Sequence, residues 1–374
     1  MKRLIVGALL VLVGGSAGFF VLAQGAGHDP SRSPLSDSRQ MAPAAVSLFE
    51  GRIKPVPELV ERDRLKGLFQ VPVTTASGQY LEEKVAPLRN SRERTPSGLW
   101  KLTFVYLGQG WERLGNIMEP EAYAYTRKGF EQWRAEDGKS PTPYIAYAMM
   151  LQHRVSRTLA EMENTQVKPA DLEALQGYVR ELVEFLDNTK KAAAADPFWY
   201  ALAVRARSYD CTRSAEVWPL LEEAATRFPD FGHTYMDGSW TFQACSENAE
   251  AEVEKIARFA AEKTRDTDGD AYYARVYWSA ANHMFGPDLR HASEHIDWAR
   301  MQRGMRDLMK RYPDPWNANN LALFACASRD AELARELLPK ARELPVLSVW
   351  RDEKVFASCW QWANATASKQ GAGK

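Results

Sequence analysis

Apolar positions along this chain fall into two regimes. Residues 4–23 (LIVGALLVLVGGSAGFFVLA) form a run with no charge inside it, directly behind Lys2 and Arg3. From about Trp100 onward, apolar residues recur every three or four positions. Val179, Leu182, Val183 and Leu186 mark one such segment, and Val253, Ile256, Phe259 and Ala260 another. That spacing is the period of a helix with one buried face. No run of β-branched residues bounded by turn signals interrupts it. The best strand candidate, residues 69–73, contains Pro72, which confines it to an edge or a loop. The pattern predicts an all-α body.

The leading run is a membrane or signal segment. Twenty residues at 1.5 Å each span about 30 Å, one hydrocarbon core, and the basic flank predicts export of the rest of the chain. Two fates are open. A cleavable signal peptide fits the break at Gly14-Gly15-Ser16 and the small residues around Ala23-Gln24-Gly25. An uncleaved anchor fits the extension of the run through Phe19-Phe20-Val21-Leu22. Residues 1–25 are therefore a signal peptide or transmembrane anchor. Residues 26–48, rich in Ser, Pro and Ala, are read as a flexible linker, because they hold too little apolar surface to offset their ordering entropy. Residues 49–99 read as an irregular, short-helical region, 100–367 as the helical-repeat domain and 368–374 as a disordered tail.

Internal periodicity organises the body. Helix starts fall near Pro197, His233, Gly269, Pro315 and Ser348, at intervals of 36, 36, 46 and 33 residues. A second helix fits inside each of the first four intervals, at 215–227, 249–263, 298–311 and 331–342. Two of these second helices run into an aromatic-Pro-Asp step, Phe228-Pro229-Asp230 and Tyr312-Pro313-Asp314. Proline stops a helix there by withholding an N–H and by disfavouring helical geometry in the residue before it. This resembles tetratricopeptide-type repeats, helix–turn–helix units of about 34 residues. The closest match is Trp316-Asn317-Ala318-Asn319-Asn320-Leu321-Ala322, then Arg329-Asp330-Ala331 and Ala341. The resemblance implies a helix-pair solenoid; most units lack the Trp-Leu-Gly-Tyr pattern of the first helix, so it extends to architecture only. The stretches Arg94-Thr95-Pro96-Ser97-Gly98-Leu99-Trp100-Lys101-Leu102 and Phe285-Gly286-Pro287-Asp288-Leu289 also resemble uncharacterised bacterial exported proteins with helical repeats, over residues 90–365. That likeness implies a bacterial envelope protein and carries no activity.

The four cysteines share the period. Cys211 and Cys245 are 34 residues apart, Cys326 and Cys359 are 33 apart, and stacked repeats bring equivalent positions of neighbouring units together. Cys211–Cys245 and Cys326–Cys359 are the natural disulfides among three connectivities, and an exported compartment lets them persist. Four buried free thiols are the alternative. No CxxC spacing points to zinc.

Composition narrows the chemistry. The 374 residues carry 48 Lys+Arg against 48 Asp+Glu. With no net cationic field, nucleic acid is excluded as the main partner. His291-Ala292-Ser293-Glu294-His295 matches the H-x-x-E-H pattern, in which two histidines on one helical face hold zinc and the glutamate activates water. Pro287-Asp288 before it and Ile296-Asp297-Trp298 after it mark a connector rather than a long helix, and no third ligand stands out. No nucleophile elbow, S-x-x-K or phosphate-binding glycine loop is present; Gly108-Gln109-Gly110 is too short. Residues 89–94 (RNSRER) read as a solvated basic helix face. The 12 Trp, 14 Tyr and 15 Phe read mainly as packing between helix pairs. Adjacent aromatics cannot all face one core, so Trp199 or Tyr273 is expected at the surface.

The sequence thus predicts a non-enzymatic, cofactor-free exported protein, periplasmic, anchored in the inner membrane or secreted, that binds protein partners in the cell envelope. Its recognition face is expected on the first helices, around Tyr235, Trp240, Tyr277 and Asn320. A zinc-dependent hydrolase at His291, Glu294 and His295 and a glycan-binding envelope module are the alternatives.

Overall fold

The computed structural model describes residues 48–68, 75–108, 117–163 and 165–371. The apolar run at 4–23 and the strand candidate at 69–73 lie outside them. The described residues are all-α and contain no strand; one isolated bridge joins Arg94 to Trp100. The longer helices are α1 (Pro57–Gly67), α2 (Thr75–Ser91), α3 (Lys101–Leu107), α4 (Pro120–Glu136), α5 (Thr142–Glu163), α6 (Pro169–Ala193) and α7 (Pro197–Ala206). They continue with α8 (Val217–Arg227), α9 (Gly232–Cys245), α10 (Ala249–Lys263), α11 (Ala271–Ala280), α12 (Trp298–Arg311), α13 (Pro315–Ala327), α14 (Ala331–Glu343) and α15 (Glu353–Gly371).

Local chemistry sets these boundaries. α7 and α13 open with the same device. Asp196 and Asp314 accept from the backbone N–H groups of Phe198 and Trp316, at 2.9 and 2.8 Å, and proline occupies the first helical position. The carboxylate satisfies a donor that the helix cannot, and proline brings a preset φ and no orphan N–H. Asp297 and Asp330 cap α12 and α14 in the same way, accepting from Arg300 and Leu333. The Phe228-Pro229 and Tyr312-Pro313 steps end α8 and α12 as the sequence predicts.

Contacts divide the described chain into two compact units. The first comprises residues 62–94 and 99–252, and the second 48–61, 95–98 and 253–371. In the first, α6 packs on α5, α9 on α7, and α7 on α6 and α8. In the second, α12 packs on α11, α14 on α13 and α15 on α14.

Two helices of these pairs, α7 and α13, are immersed. Along α7 every position but Arg205 is buried, and α13 is buried from Asn317 to its end. A helix apolar on all sides has protein on all sides. Asn319 shows how α13 accommodates its polar groups. Its Nδ2 donates to the Pro315 and Leu344 carbonyls, and its Oδ1 accepts from the Val346 N–H and from Trp350 Nε1 at 2.7 Å. All four valences of a fully buried amide are filled, which fixes the chain after α14 against α13.

Candidate functional site

The faces of the first helices are occupied by the chain itself. In the first unit, Arg94 and Trp100 both bond Asp230 Oδ2, at 2.9 and 3.2 Å. The Trp100 ring meets Phe231 edge-on at 5.3 Å, and Tyr106 of α3 packs against Phe198 at 4.9 Å. In the second unit, residues 95–98 are gripped from several sides. Glu58, fully buried, accepts from Thr95 Oγ1 at 3.1 Å and from the Ser97 N–H at 2.7 Å. The Ser97 carbonyl accepts from Arg275 of α11 and from Asn317 of α13. Gly98 has φ +93°, and a Cβ there would lie 2.5 Å from the Tyr312 ring. Both the left-handed conformation and the close approach require glycine. Gly98→Ala is expected to cost about 2–4 kcal/mol from strain and overpacking, read as a lower denaturant midpoint for the full chain. A loss below about 0.5 kcal/mol would show that the ring yields freely.

Burial corrects the expected recognition face. Tyr235, Trp240, Tyr277 and Asn320 are all buried, none more than 5% exposed. Tyr235 donates to the Pro229 carbonyl, Tyr277 to Glu254, and Trp240 lies under the Arg205 guanidinium at 3.9 Å. Trp199 and Tyr273, expected at the surface, are also buried. Adjacent aromatics do share a core here, because a helix enclosed on all sides has no solvent face to spare. Within the basic stretch, residues 90–93 are exposed as expected, and Arg89 is an exception. Arg89 is held by Asp196 at 2.8 Å and by Glu82 at 3.2 Å with its side chain mostly buried, rather than lying on a solvated face.

Solvent-facing charges also lie on the second helices, where polar contacts join residues 30–34 positions apart. Lys190 of α6 pairs with Glu223 of α8, and Trp218 of α8 donates to Glu252 of α10 at 2.9 Å. Arg306 of α12 pairs with Glu336 of α14 at 2.9 Å. Asp270 takes both Arg300 and Arg303. Exposed pairs of this kind contribute little stability each, so they fix alignment between neighbouring pairs rather than hold the fold together. Beyond them Glu332, Lys310 and Lys340 are exposed.

These groups set a pH response. Burial alone would raise Asp187 and Asp270, but Arg207 with Arg213, and Arg300 with Arg303, outweigh it and hold both below the ordinary value of 3.8. The Arg213 hydrogen bond does the same for Glu216, whose ordinary value is 4.5. Desolvation pushes His233, flat against Phe198, below its ordinary 6.5, with Asp237 opposing. All four shifts have the same consequence. The unfolded chain takes up protons first as pH falls, so stability is lost on acidification. Thermal melting is expected to weaken first below about pH 6.5, from His233, and then more steeply below about 4.5, from the carboxylates. His233→Gln should remove the upper step alone; a variant that keeps it would assign that step to another group.

The remaining candidates also have defined places. Cys211 is joined to Cys245 and Cys326 to Cys359, with Cα separations of 5.2 and 5.9 Å. These are the two pairs expected from the repeat spacing, and they fit an oxidising, extracytoplasmic environment. The H-x-x-E-H segment does not form one helical face. Its helix, Leu289–Ala292, ends before Ser293, which is extended, and His291 Nδ1 lies 2.9 Å from Asp288. No group of three or more metal-ligating side chains occurs among the described residues, and none of the described helices is long and apolar enough to cross a membrane. No family model matches the chain, and no curated protein or solved structure matches it.

Proposed function

We propose that this chain is an exported interaction scaffold of the bacterial cell envelope, in which tetratricopeptide-like helix pairs stack as a solenoid that binds protein partners without catalysing a reaction. One observation carries this reading. Contacts between second helices recur at the spacing of one repeat, as in Lys190–Glu223, Trp218–Glu252 and Arg306–Glu336. A stack of this kind produces an extended, regular surface. Because Tyr235, Trp240, Tyr277 and Asn320 of the first helices are buried, recognition falls to the charged outer surface of the second helices. The two disulfides support export, and the leading apolar run supplies the membrane or signal segment.

The test is cross-linking in the native cell, then capture of the full-length protein and of a variant with Arg303, Lys310 and Glu332 reversed in charge. The scaffold reading expects one protein recovered reproducibly and lost with the variant, whose helicity is unchanged. Clean capture without any protein partner would overturn it. A glycan-binding reading draws on a different observation, the half-buried indoles of Trp278 and Trp316, which lie 6.4 Å apart at 27°. Saccharide rings stack on such faces, so N-acetylglucosamine oligomers should then quench tryptophan fluorescence in the wild type and not in Trp278→Ala.

A further inference from the structure

The two disulfides sit in opposite environments. Cys326 and Cys359 have no solvent exposure. Cys211 is exposed and Cys245 is half-buried, at the end of α9. A disulfide exchanges only when a thiolate reaches one of its sulfurs, so access separates the two bonds.

The surroundings of Cys211–Cys245 also suit its reduced form. Cys245 Sγ lies 3.7 Å from the carbonyl oxygens of both Arg207 and Ser208, and Cys211 Sγ lies 3.9 Å from the Ala244 carbonyl. Each oxygen can accept an S–H once the bond opens. The 3₁₀ turn that begins at Cys211, Cys211–Glu216, is anchored independently of the bond. Asp210 caps it through the Thr212 N–H and hydroxyl, Arg213 pairs with Glu216 and Asp187, and buried Arg207 pairs with the same two carboxylates. Opening the bond therefore leaves the turn in place.

We infer that Cys211–Cys245 is a reversible thiol-exchange site that takes an external dithiol as its reductant, while Cys326–Cys359 is a permanent structural bond. The donor's thiolate attacks the exposed Cys211 Sγ, the S–S bond breaks, and Cys245 leaves as a thiolate that takes a proton and donates to the waiting carbonyls. The donor's second thiol then attacks its own sulfur in the mixed disulfide and releases Cys211 as a thiol. Two electrons pass from the donor, which becomes a disulfide, to the protein.

The test uses the full chain under native conditions. Dithiothreitol is added in steps, thiols are trapped with N-ethylmaleimide and sites are read by peptide mass spectrometry, with circular dichroism in parallel. Cys211 and Cys245 should be labelled roughly tenfold or more faster than Cys326 and Cys359, because a buried bond reacts only when the structure opens. Helicity should be unchanged at that stage. Both bonds opening together, Cys326–Cys359 opening first, or neither opening before helicity is lost would each overturn the inference.

Discussion

Asp196→Ala is expected to destabilise the first unit more than any other single change to its polar core. Asp196 has no solvent exposure and does three things at once. It caps α7 through the Phe198 N–H, accepts from Tyr106 at 2.7 Å, and pairs with Arg89 Nε at 2.8 Å. The first of these sets the start of α7, and the other two fix α3 and α2 against it. Removing the carboxylate leaves a guanidinium in the interior with Glu82 as its remaining carboxylate partner. Breaking a buried pair from one side costs about 3–5 kcal/mol, a large share of a typical folding free energy. Urea unfolding should show that loss with little change in slope. Arg89→Met in the Asp196→Ala background should recover part of it, since no charge is then stranded. A loss below about 1 kcal/mol, or no recovery, would mean that water reaches this cluster.

The second large effect is expected from the buried disulfide. Cys326 lies near the end of α13 and Cys359 in α15, so the bond ties the last helix to the core past α14. Closing a loop with a separation of 33 residues stabilises by about 3–4 kcal/mol in the chain-entropy model. The paired change Cys326→Ala and Cys359→Ala should lower stability by about that amount and leave the exposed bond oxidised. Phe49–Phe356 packing and the Glu353 contacts to the Leu48 and Phe49 backbone also hold α15, so the variant is expected to fold. An unchanged melting temperature would show that packing alone holds this helix.

Local features are legible in the sequence, and remote ones are not. The second helices at 249–263 and 298–311 coincide with the predicted spans, and those at 217–227 and 331–343 differ by one or two residues at one end. Their signals are a 3.6-residue period, an aspartate cap at Asp297 and Asp330, and a proline stop at Pro229 and Pro313, each contained within a few residues. The cysteine pairs are legible because their separations of 34 and 33 residues are close to the interval between successive helix starts. How residues 94–100 lie on the first helices is not. Arg94 reaches Asp230 across 136 positions, and Ser97 reaches Asn317 across 220. No periodicity encodes partners so far apart. The expectation of exposure at Tyr235, Trp240, Tyr277 and Asn320 fails separately, since each is buried among its own neighbours, such as Pro229, Arg205, Glu254 and Trp316. The expectation for Arg89 fails on distance again. Its role depends on Asp196, 107 positions away, while its sequence neighbours are polar and basic. The H-x-x-E-H segment is a connector in sequence and structure alike, because Pro287 and Asp288 stand beside it.

An all-α chain stapled by Cys211–Cys245 and Cys326–Cys359 is the central claim, and disulfide mapping of the protein isolated from its native cells tests it most directly. Thiols are blocked with N-ethylmaleimide at lysis, and the protein is digested without reductant and read by mass spectrometry. Two linked peptide pairs are predicted, Cys326 with Cys359 in every molecule and Cys211 with Cys245 in at least a fraction. Four alkylated cysteines, or any cross-pairing between the two sets, would contradict the claim.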